Sequence, residues 1–338
     1  MVESSWIPTL ADAAGYIAHT FSTGSGERGD SPPITNAMTI DVEDYFHVSA
    51  FADRISSRDW ADLPSRVEQN TWRLLTLLAK AEVRATFFVL GWVAERHPQL
   101  IRDIARAGHE IGCHSYWHRL VYDLTPKQFR DDTRHAQQLL EEITGDRVTL
   151  YRAPSFSITE RSLWALDILA ELGFEMDSSI YPIRHDRYGI PGADPFPHIR
   201  STSAGELREF PGSIYRLGGL SIPVSGGGYF RLYPARVTAW LLDRINRGGQ
   251  PFMFYVHPWE LDPDQPRMAG SLRSRFRHYQ NLASTERKLT WLLPRFEFGT
   301  MSDSLSEQNP NLKTQIPRNV QTSNSMLQDQ ASSIAVVQ

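Results

Sequence analysis

Two histidines four positions apart, His114 and His118, are the side chains best suited to bind a metal ion. If the residues between them form a helical turn, both imidazoles lie on one face and can reach the same cation. Neutral imidazole suits Zn, Ni, Co or Fe, and a carboxylate completes a set of three ligands with positions open for water. The alternative is a solvated surface pair, against which the apolar neighbours Ile111, Tyr116 and Trp117 argue.

Three carboxylates, Asp41, Glu43 and Asp44, lie at the end of the apolar run AMTID. One can serve as a general base and another as a metal ligand; alternatively, the segment is a solvated loop in which an acid caps a helix. Side chains alternate along an extended chain, so Asp41 and Glu43 are expected to point to the same side. That arrangement suits a shared site.

Three further ionisable residues, Arg152, Asp177 and His257, each end another apolar run. Arg152 can hold a carboxylate through two hydrogen bonds, or form an ordinary surface ion pair. Asp177 can cap a helix, and His257 can be a core histidine whose hydrogen bonds are satisfied. Each is weak evidence alone. Together with Asp41 and His114, they predict one site at which several strands end.

Short apolar runs alternate with amphipathic segments between residues 36 and 300, which predicts parallel βα units. A parallel barrel carries its active-site residues at the carboxyl ends of its strands, where these ionisable residues fall. A capping box of Ser65 and Glu68 predicts one helix, and Thr125, Pro126 and Gln128 predict another. The predicted strands span residues 37–41, 83–90, 109–114, 148–152, 174–177, 207–210 and 251–257.

The two ends of the chain differ in composition from its centre. Residues 22–36, STGSGERGDSPPITN, indicate a linker, and residues 303–338 are polar and contain no aromatic residue. Such a composition cannot bury enough apolar surface to offset the entropy of ordering. We therefore expect an N-terminal tail and linker over residues 1–36, a catalytic domain over 37–300 and a disordered C-terminal tail over 301–338.

The overall composition excludes several classes of protein. The 338 residues are 41% hydrophobic, which permits a large core, and no apolar stretch is long enough to span a bilayer. The net charge of −4 implies no attraction to nucleic acid or to an anionic membrane. Cys113 is the only cysteine, so no intrachain disulfide forms. The first residues lack a basic leader with an apolar run, and we expect a cytoplasmic protein.

Taken together, these segments resemble the polysaccharide deacetylase family with the NodB homology domain, of the carbohydrate esterase family 4 type. The family motifs occur in order as TIDVED, HSYWH, RAP, DSS and YVH, between residues 38 and 260. The longer segments TIDVEDYFHVSAF, RAPSFSIT, FYVHPWE and HYQNL resemble the deacetylases associated with exosortase/PEP-CTERM exopolysaccharide loci. That closer resemblance extends to about residue 300.

The resemblance implies a distorted (β/α) barrel and a divalent metal, usually zinc. It also implies a role for each matching residue: Asp41 as catalytic base, His114 and His118 as metal ligands, Arg152 as the arginine that orients the base, Asp177 as the acid that tunes the catalytic histidine, and His257 as general acid.

One position departs from the family pattern. Val42 stands where the family has a second aspartate, which is a metal ligand. Glu43 or Asp44 must then take its place, and Glu43 is preferred because it points to the same side as Asp41 in an extended chain.

The implied activity is metal-dependent removal of N-acetyl groups from an amino-sugar polysaccharide or its lipid-linked precursor, in exopolysaccharide biosynthesis. The implied partners are an N-acetylated glycan and, transiently, the exopolysaccharide assembly machinery. Two alternatives stay open. An allantoinase- or amidase-like C–N hydrolase of the same fold, working without metal, is kept open by Val42. A catalytically dead barrel that binds a glycan or an assembly partner predicts a missing ionisable residue at one motif.

Overall fold

The computed structural model describes residues 33–308 of the chain. In that range the strands are β1 (Asn36–Val42), β2 (Thr86–Val89), β3 (Glu110–Cys113), β4 (Leu150–Tyr151), β5 (Met176–Asp177), β6 (His198–Thr202), β7 (Gly205–Glu209), β8 (Ile214–Leu217), β9 (Leu220–Pro223), β10 (Met253–Val256) and β11 (Phe298–Gly299). The helices are α1 (Val67–Lys80), α2 (Gly91–Arg96), α3 (Pro98–Arg106), α4 (Pro126–Thr144), α5 (Trp164–Glu171), α6 (Gly227–Leu232), α7 (Ala235–Arg247), α8 (Leu272–Tyr279), α9 (Leu282–Leu292) and α10 (Met301–Gln308). Each of these helices is too short or too polar to cross a bilayer.

One mostly parallel sheet is the framework of the fold. Its strands are hydrogen-bonded in the order β10-β1-β2-β3-β4-β5-β7-β6, and β11 also pairs with β1. Every pair is parallel except β6 and β7. The hairpin of β8 and β9 stands apart as a second, two-stranded sheet. The predicted α/β class with parallel βα units is confirmed.

The segments that follow β7 connect to β10 without forming a continuous ladder. Ser213 Oγ accepts the Met253 N–H at 2.8 Å, and the Ser213 carbonyl accepts the Val224 N–H at 3.1 Å. The Ser225 carbonyl accepts the Tyr255 N–H at 2.6 Å. These bonds bring the β10 edge of the sheet towards its β7 side. The arrangement is a strongly distorted (β/α) barrel.

The neighbouring strands β10, β1 and β2 are buried along their whole length. Their sequences MFYV, NAMTIDV and TFFV are rich in apolar residues, as expected for parallel strands covered on both faces. Apolar helices cover them: Leu74 and Leu78 of α1 and Leu289 of α9 are fully buried in the same core. This core holds the carboxyl ends of the strands in place.

The helix predicted at Thr125 forms as expected. Thr125 and Gln128 make both hydrogen bonds of the capping box, Pro126 is the first helical residue, and α4 ends at the left-handed Gly145. A glycine is favoured there because its φ of 80° strains any residue with a Cβ.

The first helix begins differently from its prediction. α1 begins at Val67, and Ser65 and Glu68 form no capping box. Instead, the Asp44 carboxylate accepts hydrogen bonds from the Arg66 N–H (2.7 Å), the Val67 N–H (3.0 Å) and Ser65 Oγ (2.8 Å). A residue distant in sequence therefore caps this helix, which no local pattern can predict.

The folded chain continues past the predicted boundary at residue 300. Residues 301–308 form α10, so the prediction that a disordered tail begins at 301 is wrong there. Met301 is fully buried, Leu305 is 7% exposed, and Ser304 Oγ donates to the Thr35 carbonyl at 2.8 Å. One apolar residue per turn suffices for so short a helix, which explains why its polar composition was misleading. Residues 1–32 and 309–338 lie outside the described residues, so the predicted linker and the rest of the predicted tail stay predictions.

Candidate active site

The carboxyl ends of four strands bring the predicted residues into one cluster. Asp41 and Glu43 lie at the end of β1, His114 follows β3, Arg152 follows β4 and His257 follows β10. The side chains of the first four are no more than 4% exposed, and that of His257 is 17% exposed. Segments distant in the chain therefore meet at one site, as predicted.

Glu43, His114 and His118 form a group that suits a cation. One ligand atom from each lies within 4.8 Å of the others, and His118 Nε2 is 2.7 Å from Glu43 Oε2. His114 Nδ1 lies 2.8 Å from the Arg152 carbonyl, so Nδ1 carries the proton and Nε2 is the atom available to a metal. A hydrogen bond of this kind fixes the ring orientation of a ligand histidine.

The electrostatics of His114 and Glu43 favour the protonation states that metal binding needs from these two residues. Burial lowers the pKa of His114 to about 4, so its imidazole is neutral at pH 7. Burial favours the neutral form of Glu43, but His118, with His257 and His114, outweighs it and holds the pKa of Glu43 well below its usual value. Neutral imidazole and ionised carboxylate are the metal-binding forms.

The residues present fit a divalent cation. Two histidines and one glutamate are a ligand set found in catalytic zinc sites, which keep a further position open. Glu43 Oε2 is buried and faces His118 Nε2 at 2.7 Å without an aligned hydrogen bond, and His118 Nδ1 is buried without a hydrogen-bond partner in the described part of the chain. A cation bound to Glu43 would satisfy the first of these atoms.

The two histidines do not lie on a helical turn, contrary to the prediction. Ser115 and His118 have φ angles of +61° and +51°, in the left-handed region. The chain therefore folds back on itself, and the rings of His114 and His118 come within 5.3 Å of each other, measured between their centroids. Such backbone strain in residues with a Cβ clusters at functional sites. The spacing predicted a shared site correctly, but the reason for it is this turn.

Asp44 is not part of the metal group, which corrects one of the two predicted carboxylate ligands. Its carboxylate caps α1, and its N–H donates to His47 Nδ1 at 2.8 Å. The alternative expectation of a helix-capping acid is therefore correct for Asp44 alone. Val42 is fully buried in the core, so the alternation that turns Asp41 and Glu43 towards the site turns position 42 away from it.

Arg152 orients Asp41 as the resemblance implies. Its Nη1 donates to Asp41 Oδ1 at 2.7 Å and to Thr39 Oγ1 at 2.8 Å, and its Nη2 donates to Ser178 Oγ at 3.0 Å. The guanidinium is fully buried and lies over the Phe88 ring, 4.2 Å from the ring centre. A charge buried in this way needs its hydrogen bonds satisfied, and these contacts hold Asp41 in one orientation.

Asp177 does not contact His257, so the role that the resemblance implies for Asp177 is corrected. Its Oδ1 accepts from Ser179 Oγ at 2.5 Å, and Ser179 Oγ in turn accepts the Ala153 N–H. Burial raises the pKa of Asp177 and of its buried neighbour Glu209. The pair supports the segment that holds Arg152, one step away from the site.

The partner of the histidine is Glu260, which sequence reasoning missed. His257 Nδ1 lies 3.6 Å from Glu260 Oε2, and Arg231 Nε donates to Glu260 Oε1 at 2.9 Å. Burial opposes protonation of His257, but Glu260, Glu43 and Asp41 together raise its pKa to about 9. The sequence signal for this contact was the spacing in His-Pro-Trp-Glu. A turn after the histidine places the acid, three residues later, next to it.

The cluster lines a pocket of about 150 Å³. Trp259 Nε1 donates to Glu43 Oε1 at 3.1 Å, and its ring stacks on His257 with 5.0 Å between the centroids. Phe156 and Tyr188 form apolar parts of the wall. The pocket therefore combines a polar floor with aromatic walls that limit the entry of water.

Two protein families match successive stretches of the chain, and both stretches contribute to this site. Residues 59–176 match the family described as polysaccharide deacetylase, and residues 178–306 match a domain of unknown function, DUF3473. The first stretch contains His114, His118 and Arg152, and the second contains His257 and Glu260. The resemblance inferred from the motifs is confirmed. The pocket is built from both stretches and from Asp41, Glu43 and Val48, which precede them.

Curated relatives match part of the chain. A peptidoglycan-N-acetylglucosamine deacetylase of Bacillus cereus is 33% identical over 98 residues, which are 29% of this chain and 36% of the relative. A peptidoglycan deacetylase of Helicobacter pylori is 30% identical over 140 residues, which are 39% of this chain and 47% of the relative. The chain thus spans less than half the length of these relatives.

Two solved structures share the fold. A candidate polysaccharide deacetylase from Mycobacterium smegmatis has a TM-score of 0.51 at 23% identity and covers 85% of this chain and 96% of its own. PuuE allantoinase has a TM-score of 0.51 at 17% identity and covers 83% of this chain and 96% of its own. At these identities the likeness concerns the fold alone, and it confirms the distorted (β/α) barrel.

Proposed function

We propose that this chain, whose residues 59–176 belong to the polysaccharide deacetylase family, removes N-acetyl groups from an amino-sugar glycan. The main support for this proposal is that one pocket holds Asp41, the group of Glu43, His114 and His118, and the protonated His257. Amide hydrolysis needs this combination because water is a poor nucleophile, the amide carbonyl a poor electrophile and the amine a poor leaving group.

The size of the pocket supports an acetyl group as its occupant. A volume of about 150 Å³ corresponds to roughly five water molecules at ~30 Å³ each. A complete ligand of drug size needs roughly 300 Å³ or more. The acetyl group therefore enters the pocket while its sugar ring stays at the mouth.

Asp41 acts as the general base. Its Oδ1 is held by Arg152, which leaves Oδ2 as the atom that accepts a proton from the attacking water. A divalent cation held by Glu43, His114 and His118 would supply Lewis-acid polarisation of the acetyl carbonyl and would acidify water.

His257 acts as the general acid. With a pKa near 9 it carries its proton at neutral pH, and Nε2 lies 3.8 Å from Asp41 Oδ2, on the pocket side of the ring. Nε2 donates that proton to the departing nitrogen, so the products are acetate and a free amino sugar. Glu260 stays ionised beside Nδ1, because Arg231 and His257 overcome burial and lower the pKa of Glu260.

Acetate release from N-acetylglucosamine oligomers tests the proposal, with allantoin as the comparison substrate. We expect acetate release that stops after chelation and returns when zinc is added. Turnover of allantoin without acetate release would favour the amidase-like alternative. Binding of the oligomers with no turnover at any metal concentration would favour the catalytically dead barrel.

Two variants separate the base from the metal group. His114→Ala should lose bound metal and activity together, because a ligand is removed. Asp41→Asn should keep its metal but lose kcat by about 10²–10⁴-fold, the usual contribution of a general base. Metal analysis of both proteins beside the kinetics provides the check. Full turnover by Asp41→Asn would show that Asp41 is not the base.

We further propose zinc as the metal and exopolysaccharide biosynthesis as the setting. Two histidines and a glutamate support zinc, and the resemblance of TIDVEDYFHVSAF and FYVHPWE to exosortase-associated deacetylases supports the setting. The substrate is then a polysaccharide or its lipid-linked precursor, met in the cytoplasm through transient contact with the assembly machinery. Metal analysis of the purified chain, cell fractionation and the free-amine content of exopolysaccharide from a deletion strain test these points.

A further inference from the structure

The outer side of α8 carries the two most exposed large apolar side chains of residues 33–308. Leu272 is 83% exposed and Phe276 is 63% exposed. They are four residues apart, so they lie about 40° from each other around the helix axis and form one stripe. Exposed apolar residues are usually scattered singly, whereas these two adjoin each other and are rimmed by polar groups, as in contact surfaces.

Arginines flank this stripe on both sides. At about 100° per residue, Arg275 lies on one side of Leu272 and Phe276, and Arg273 lies on the other. Both arginines are exposed, and Arg267 lies nearby over the Tyr279 ring, 4.3 Å from its centre. The face is therefore an apolar stripe between cationic edges.

The acids around α8 neutralise this charge only in part. Asp186, in the neighbouring segment 184–188, lies 3.3 Å from Arg273 and 3.6 Å from Arg277. Residues 184–188 and 264–279 together contain six arginines and two aspartates, in a chain whose formal net charge is −4. Positive charge is thus concentrated at one place on an acidic protein.

The inner side of the same helix is packed against the active site. His278 is 3% exposed and stacks on Trp259 with 4.3 Å between the ring centroids, and Trp259 stacks on His257. Tyr188, which ends the Asp186 segment, lines the pocket. Helix α8 therefore lies directly behind the wall of the pocket, with its cationic and apolar face on the outer side.

We propose that the outer face of α8 docks on the surface of an anionic lipid bilayer. Leu272 and Phe276 enter the region between the headgroups, and the arginines at their edges bind lipid phosphates, as in other interfacial helices. A bilayer buries two apolar side chains without needing a complementary shape. A stable protein partner needs about 800 Å² on each side, far more than this stripe offers. Docking holds the pocket next to the membrane surface.

Co-sedimentation of the full chain with vesicles tests the proposal. We expect binding to phosphatidylcholine vesicles that contain phosphatidylserine, little binding to phosphatidylcholine alone, and weaker binding as salt is raised. The double variant Arg273→Gln with Arg275→Gln should bind roughly 20-fold less, because each basic residue near an anionic surface contributes about fivefold. Leu272→Ser with Phe276→Ser should bind at least about tenfold less.

Matched controls come from exposed residues elsewhere in the fold. Ile199→Ser removes an apolar side chain that is 53% exposed, and Arg236→Gln removes an exposed charge on α7; both should bind as the unchanged chain does. Equal melting temperatures for all variants show that they fold. Acetate release from soluble oligomers should be unchanged in the α8 variants. This result separates the proposal of membrane docking from the proposal of N-deacetylation.

Three results would overturn the membrane assignment. The first is a chain that stays in the supernatant with both kinds of vesicle. The second is an equal loss of binding in the control variants. The third is binding to a soluble acidic polysaccharide that the arginine variant loses and the Leu272 and Phe276 variant keeps, which would make the face a glycan surface.

Discussion

His257 lies between two sets of carboxylates. Asp41 and Glu43 face its Nε2 at 3.8 and 3.4 Å, and Glu260 faces its Nδ1 at 3.6 Å. Burial alone would keep the imidazole neutral, but these acids raise its pKa to about 9. At the scale of single residues, the proton donation that we propose for His257 therefore depends on Glu260, while Asp177 acts only through the backbone that carries Arg152.

Replacing Glu260 should lower the pKa of His257. A raised pKa keeps the imidazole charged below about 9, so removing the charge of Glu260 makes the basic limb of the kcat profile begin at lower pH. We expect Glu260→Gln to lower kcat at pH 8: a fall of one unit from about 9 lowers the protonated fraction at that pH about twofold, and a fall of two units lowers it about tenfold. The measurement is kcat against pH, together with the histidine titration by NMR.

Asp177→Asn is the matched control for that prediction. Because Asp177 makes no contact with His257, the basic limb should stay where it is, even if the variant is less active overall. A shift of the limb in Asp177→Asn but not in Glu260→Gln would restore the role that the family resemblance assigned to Asp177.

At the scale of elements, single carboxylates connect strands and helices that are distant in sequence. Asp44 follows β1 and caps α1 with three hydrogen bonds from residues 65–67. The Asp177–Glu209 pair joins the carboxyl ends of β5 and β7, where the two residues are register partners. Each contact fixes how one element meets the next, and each has a distinct effect on stability.

Asp44→Ala should destabilise the fold without removing the metal. The loss of a helix cap costs about 0.5–2 kcal/mol, and the upper end is expected because three donors lose their acceptor. Glu68→Ala, at the position of the predicted capping box, should change stability by less than about 0.5 kcal/mol. Denaturant unfolding and metal analysis provide the measurements. Loss of metal from a folded Asp44→Ala protein would place Asp44 among the ligands.

Glu209→Gln should flatten the dependence of stability on pH. Burial raises the pKa of Asp177 and Glu209, so the folded chain binds more protons than the unfolded chain above their ordinary values of 3.8 and 4.5. Stability from this pair is complete below those values and is lost as pH rises through the raised ones. Removing one carboxyl should therefore raise the stability of the variant, measured against that of the unchanged chain, more at pH 8 than at pH 4. Thermal unfolding across that range is the test, with exposed Glu206→Gln as control.

At the scale of the whole molecule, the site needs both halves of the sheet and also helix α10, which packs where the strands begin. Glu110 at the start of β3 accepts hydrogen bonds from Thr86 of β2 and Ser302 of α10. The Met301 N–H donates to Thr86 Oγ1 at 2.8 Å. α10 thereby joins the opposite end of the strands that carry Asp41 and His114, so residues beyond 300 contribute to the stability of the barrel.

Two truncations test that contribution. A chain that ends at residue 308 keeps α10, whereas one that ends at residue 300 exposes the surface that Met301 and Leu305 cover. Burying a Met and a Leu contributes roughly 3–6 kcal/mol in total, so the shorter chain should unfold at clearly lower denaturant concentration. Equal midpoints for the two chains would show that α10 contributes nothing to the fold.

The amino-acid sequence by itself determined the residue types at the strand ends and the class of fold. Apolar runs such as TFFV and MFYV form strands wherever both faces are covered, and the alternation of side chains put Asp41 and Glu43 on one side and Val42 on the other. These properties follow from local backbone geometry. The same reasoning missed β6, β8 and β9, whose partly exposed residues carry a weaker apolar pattern.

Only the tertiary structure decided which of several similar groups meet. Asp44 caps a helix while Glu43 joins the histidines, and Glu260 faces His257 while Asp177 pairs with Glu209. The charge on α8 was likewise hidden by a negative total, because an average over the chain says nothing about where arginines gather. In each case the deciding quantity is a distance between residues far apart in sequence, which depends on how all the elements pack.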